Sequence, residues 1–113
     1  MKLIKLLLAL GITLFSPVSL SAGPVKVITF SGPDDMNHAN IVQIEIEGGL
    51  ANEILAEGCN TRFAAIRNTL ERQHMISYVL AAYATKESVQ LVLNPSDKYF
   101  QDRCTISRIS STN

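Results

Sequence analysis

The stretch Asn68–Lys86, NTLERQHMISYVLAAYATK, decides how the rest of the chain is read. At about 100° per residue, Met75, Ile76, Val79, Leu80, Ala82 and Tyr83 share one arc, which predicts an amphipathic helix whose apolar side needs a core. Glu71, His74, Ser77, Tyr78, Ala81 and Thr85 share the other arc. Asn68, with Glu71 three positions later, predicts a capping box at the helix start. The two cysteines of the chain, Cys59 and Cys104, lie on either side of this helix.

Strands are expected on both sides of it. Val25–Phe30 is β-branched, and Ser31-Gly32-Pro33-Asp34-Asp35 ends it with turn chemistry. Ile41–Glu47 alternates, with Val42, Ile44 and Ile46 on the side to be buried and Gln43, Glu45 and Glu47 on the wet side. Gly48-Gly49 breaks that run, and Leu50–Glu57 is compatible with either a twisted strand or a helical turn. A third strand is expected from Cys59 to Ile66, with Thr61, Phe63 and Ala65 on one side. After the helix, Ser88–Leu93 predicts a fourth strand with Val89, Leu91 and Leu93 inward. Asn94-Pro95-Ser96-Asp97 predicts a turn, Lys98–Asp102 a polar approach, and Cys104–Ile109 a fifth strand.

The termini bound the setting. Lys2 and Lys5, an uncharged run of about ten residues from Leu6 to Phe15, and a small polar stretch to Ala22 have the pattern of a secretory signal peptide. A membrane-spanning helix needs roughly 20 apolar residues. Cleavage is expected after Ser21 or Ala22, which leaves a single domain at 23–113. All ten acidic residues lie beyond that point while Lys2 and Lys5 precede it, so the domain carries a small negative charge. Its arginines are scattered among carboxylates rather than gathered in a basic stripe, which argues against nucleic acid as a partner. Two cysteines in a short exported chain most simply form one disulfide, Cys59 to Cys104. An intermolecular bridge or a reactive thiol is the alternative.

Candidate chemistry is sparse. Asp34–Asn40 is rich in oxygen, but Met36 and His38 stand where a calcium loop needs oxygen ligands and Ala39 where it needs glycine. His38 and His74 are the two histidines, too few for a zinc site once the cysteines pair. There is no G-x-S-x-G elbow and no H-E-x-x-H. His74 and Tyr78, one turn apart, are a possible binding pair, and Glu45 and Glu47 read as the wet side of a strand. No catalytic residue, cofactor or metal is therefore expected, and no ligand-binding residue is assigned.

The order of three strands, one helix and two strands predicts a mainly β, α+β domain of the kind found in five-stranded OB barrels, where the helix between strands three and four plugs one end. The Val25–Ile28 strand, Cys59 followed by Phe63, Leu80–Ala84 in the helix, Val89–Leu93 and the late Cys104 together resemble short secreted bacterial proteins related to the B subunit of subtilase cytotoxin. That subunit is itself similar to pertussis-type B subunits. The resemblance implies an OB-like, ring-forming, non-catalytic domain that binds a cell-surface glycan or a protein partner; a periplasmic or secreted protein-interaction domain, such as an enzyme inhibitor, is the alternative. The chain is shorter than the toxins between Leu93 and Cys104. Between Arg72 and Lys86 there is no charged side chain, so Ser77, Tyr78, Ala81 and Ala84 are candidate contacts between copies in a homo-oligomer.

Overall fold

The structure, a computed structural model, describes residues 21–50 and 57–112. The expected signal segment lies outside the described residues except for Ser21 and Ala22, and so do residues 51–56 of the ambiguous stretch after Gly49. Among the described residues the chain runs β1 (Ser21–Phe30), β2 (Ile41–Ile46), β3 (Ala64–Arg67), α1 (Gln73–Thr85), β4 (Ser88–Tyr99) and β5 (Arg103–Ser111). It is mainly β with one α-helix, in the expected order.

Each strand has two strand neighbours. β1 pairs antiparallel with β2 and with β4, β2 with β3, and β4 with β5, while β3 and β5 run parallel. The sheet therefore closes on itself, in the order β1-β2-β3-β5-β4. β1 achieves closure by changing partner along its length: Ser21–Pro24 lie on β4, and Val25–Phe30 on β2. At the change the backbones nearly touch. A Cβ on Gly23 would sit 2.7 Å from the Glu47 carbonyl oxygen, so only glycine fits there. The expected cleavage after Ser21 or Ala22 falls inside this first strand.

The alternation read in the second and fourth strands is present. Val42, Ile44 and Ile46 from β2 and Val89, Leu91 and Leu93 from β4 meet Ala64, Ile66, Cys104 and Ile106 in one core. α1 adds Ile76, Val79 and Ala82, a stripe at every third residue that closes over the apolar interior.

Four local expectations are corrected. The third strand begins at Ala64, because Cys59–Phe63 is spent on turns; Ala64 and Ile66 face the core, and Thr61 is exposed. The turn expected at Asn94–Asp97 is a bulge within a continuous β4, which resumes pairing at Lys98. The capping box does not form: a 3-10 turn, Leu70–Arg72, precedes α1 without a side-chain cap, and Asn68 Oδ1 accepts from Gln73 Nε2 at 2.7 Å instead. The buried arc of the helix is also turned from the expected one. Leu80 and Tyr83 are 42% and 46% exposed, while Met75 and Tyr78 pack partly against the core. The narrow stripe at Ile76, Val79 and Ala82 suffices to cover the sheet, so the flanking positions are left at the rim. The helix ends at Lys86 in the left-handed region (φ 58°), where its N–H donates to the Ala82 and Tyr83 carbonyls.

The two neighbours Val79 and Leu80 should therefore respond oppositely to charge. Val79→Asp should abolish the cooperative urea transition, since an unpaired charge in this core costs several kcal/mol. Leu80→Asp should shift stability by less than about 1 kcal/mol, as at other exposed sites. A Val79→Asp protein with native circular dichroism would show that the helix sits in another phase.

Candidate functional site

One group of polar and aromatic side chains outside the core gathers where the β1–β2 loop meets the β4–β5 tip. The β1–β2 loop is held by its own backbone: Asp35 and Asn40 N–H donate to the Gly32 carbonyl, and Ile41 N–H to that of His38. The β4–β5 tip, Phe100–Asp102, is tight, with Gln101 and Asp102 both at positive φ (54° and 60°). A third segment joins them. The Cys59–Cys104 disulfide, with Cα atoms 5.5 Å apart, and the Asn60 N–H to Asp102 carbonyl bond of 2.7 Å dock the approach to β3 against the tip. Asn60 Oδ1 then accepts from the Arg62 and Phe63 N–H groups, a local turn that sets the Phe63 ring beneath Arg103.

Arg103 is the centre of this cluster. It is 9% exposed, with its guanidinium carbon 4.0 Å from the Phe63 ring centroid and 5.4 Å from that of Phe100. Its Nη1 donates to Gln43 Oε1 at 2.6 Å, and the Tyr99 hydroxyl donates to the same oxygen at 2.8 Å. Stacking between aromatic faces keeps a cation stable out of water, and a guanidinium suits it through its planarity. His38 reaches in from the β1–β2 loop, edge-on to Tyr99 and Phe100 with ring centroids 5.7 and 5.3 Å away. Two nitrogens, His38 Nδ1 and Arg103 Nε, are buried with no hydrogen-bond partner. Phe100 remains 37% exposed at the rim, and Arg62 lies outside Phe63 at 4.9 Å while pairing with Glu45 at 2.8 Å.

Beside the cluster lies a layer of mutually hydrogen-bonded side chains. Between the Asn94–Thr105 and Lys98–Cys104 pairs, three residues of β4 bulge out of register. The bulge returns Asp97 over the outside of the sheet, where its carboxylate takes Arg67 Nε and Nη2 at 3.1 and 2.7 Å and the Thr105 hydroxyl at 2.9 Å. Hydrogen bonds from Arg67 hold the Asp97 carboxyl below its ordinary range; burial opposes them, and the Thr105 bond assists. Burial raises Tyr99 above the usual phenol value, against the hydrogen bond with Arg103. This layer covers Ala65, which is fully buried although it faces away from the core.

The residues singled out in the sequence fall into separate places. Cys59 and Cys104 are joined, and Glu47 is exposed while Glu45 is tied to Arg62. Ser77, Ala81 and Ala84 are on the exposed side of α1, whereas the Tyr78 hydroxyl is buried without a hydrogen-bond partner. His74 and Tyr78 line a cavity of about 260 Å³ with Met75, Ser107, Arg108 and Ile109. Among the described residues no group of three or more His, Cys, Asp or Glu side chains could hold a metal ion. Gln43, Phe63, Tyr99, Phe100 and Arg103 were not singled out as site residues in the sequence. The Tyr99-Phe100 pair, two residues before Arg103-Cys104, is the signal that could have exposed them, because a cysteine in a bridge fixes the position of its neighbours. The arrangement can bind, by stacking and by charged hydrogen bonds.

Comparison of the chain with protein-family models, curated proteins and solved structures gave no match.

Asp97 and Tyr99 are shifted in ways that give opposite dependences on pH. Asp97 is more acidic folded than unfolded, so its contribution is present above the ordinary carboxylate value of about 4 and is lost as pH falls through the depressed one. Tyr99 is less acidic folded, so its contribution holds below about 10 and is lost as pH rises through the raised value. Urea midpoints should thus fall less steeply below pH 4 in Asp97→Asn, and less steeply above pH 10 in Tyr99→Phe, than in the native protein. At neutral pH the Asp97→Asn change should cost up to about 1 kcal/mol, as expected for a partly exposed pair.

Proposed function

We propose that this chain is an exported, non-catalytic binding domain built on an OB-type barrel, and that it recognises a glycan with the end of the barrel where the β1–β2 and β4–β5 loops meet. The observation that carries this reading is the stack of Arg103 between Phe63 and Phe100, with His38 edge-on and the whole cluster pinned by the disulfide. In OB barrels the face of strands two and three and these two loops take oligonucleotides and oligosaccharides. The acidic balance of the domain disfavours the former. A rigid aromatic rim beside cationic side chains suits a sugar, which offers an apolar ring face and hydroxyls together. Export is supported by the disulfide, which is consistent with an oxidising extracellular or periplasmic compartment. No helix of the described residues is long and apolar enough to cross a membrane.

A homo-oligomer joined through α1 is part of the proposal. Ser77, Ala81 and Ala84 share the exposed side of the helix with half-exposed Leu80, and Leu70 just before it is 94% exposed. Small and apolar side chains there allow close approach between copies, and the side lacks the charges of an ordinary solvated helix face.

A glycan array tests the first reading. Native protein should bind a related set of glycans and Phe100→Ala should lose them while keeping a cooperative melting transition; an array without hits, or hits indifferent to Phe100→Ala, would refute it. Light scattering tests the second. The native protein should exceed the monomer mass at micromolar concentration and Ala81→Glu should return it to the monomer while remaining folded, and a native monomer would end the proposal.

A further inference from the structure

A second site lies away from the loop end, in the seam between α1 and β5. β5 pairs with β3 only at Cys104 and Thr105, yet its pairing with β4 continues to Ser111. From Ile106 to Ser110 one edge of β5 therefore carries no strand among the described residues. Backbone groups on such an edge call for a partner, and proteins usually blunt it with charge, proline or a cover. Here the cover is incomplete. The cavity of about 260 Å³ opens between this edge and the first turns of the helix, and it is lined by His74, Met75 and Tyr78 on one side and Ser107, Arg108 and Ile109 on the other.

The lining has one sign of charge. No acidic residue is in it, and neither Arg108 nor His74 has an ion-pair partner among the described residues. Met75 and Ile109 are partly buried and supply an apolar floor. An open strand edge asks for extended backbone, and the unpaired guanidinium asks for a carboxylate.

We propose that the β5 edge takes an extended, acid-bearing segment of a partner protein as an added strand, with Arg108 and His74 holding its carboxylate. Main-chain hydrogen bonds to the edge supply affinity in this mode, and the side-chain pocket supplies selectivity. A single carboxylate placed against Arg108 fixes the register of the added strand, because a slip of one residue turns that side chain to the other face. The site is independent of the loop-end cluster and of any glycan bound there.

Panning a ten-residue peptide display library on the full exported protein tests the proposal. Peptides that alternate apolar and polar residues and carry Asp or Glu should be enriched. Their addition to ¹⁵N-labelled protein should move the amide signals of Ile106–Ser110 and of His74–Tyr78, leaving those of Phe100–Arg103 in place. Arg108→Glu should weaken binding by at least about tenfold, and Arg108→Gln, which keeps the side-chain length, should weaken it less. Methylating alternate amide nitrogens of the peptide should abolish binding, since a strand that cannot donate cannot be added. Absence of enrichment, or binding indifferent to Arg108→Glu or to N-methylation, would overturn the proposal. Equal affinity for free N-acetylglutamate would do so too, by making the site a small-carboxylate pocket. A lower native mass on Arg108→Glu, with no peptide present, would assign the edge to a second copy and equally overturn it.

Discussion

Two residue pairs, Ala64 with Cys104 and Ala65 with Thr105, join β3 to β5, and closure of the sheet depends on them. A parallel ladder this short is weak by itself, and its strands are far apart in sequence, so ordering them costs chain entropy before any contact is gained. Two features of the chain offset that cost. The alanines of β3 are fully buried, Ala64 in the core and Ala65 on the opposite face, and the Cys59–Cys104 bridge is anchored at one end within the ladder itself. Across a loop of this length, restriction of the unfolded chain is worth about 4 kcal/mol on the chain-entropy account. For a domain of this size that is a large fraction of the net stability.

The same bridge sets the loop end. Because Cys104 is held against the bend before β3, the β4–β5 tip cannot move independently of Asn60 and Phe63, and Arg103 is left between two aromatic rings that come from different segments. The bulge in β4 does the complementary task on the outer wall, where Asp97, Arg67 and Thr105 satisfy one another over the buried Ala65. One region is thus closed and internally bonded, and its neighbour is preorganised with a ring and nitrogens left over. On the proposed reading, that contrast separates cover from binding surface. A layer whose polar groups are all engaged gains little from a ligand, while a rigid site pays little ordering cost on binding.

The helix illustrates a different balance. It reaches the core along the narrow stripe of Ile76, Val79 and Ala82, and it shields only part of the β5 edge. A broader helix face buried against the sheet would add stability and remove the seam. The structure instead keeps Leu80 and Tyr83 at the rim and leaves the Tyr78 hydroxyl without a partner. Buried polar groups in that state ordinarily cost about 1–3 kcal/mol, so the helix sits at a compromise rather than at a packing optimum.

Period and composition alone determined the strand and helix order, the inward faces of β2 and β4, and the pairing of the only two cysteines. These depend on nearest neighbours along the chain: β-branched alternation, helical spacing, and a count of two. The loop-end cluster was not legible in that way. Gln43, Phe63 and the Tyr99–Arg103 hairpin come from three separated segments, and what unites them is closure of the sheet and the register shift in β4, neither of which leaves a local pattern. Helix phase failed for a related reason. Leu80 and Tyr83 belong to the apolar arc of an isolated helix, but how much of that arc is buried depends on the width of the opening it covers, and only the assembled sheet sets that width.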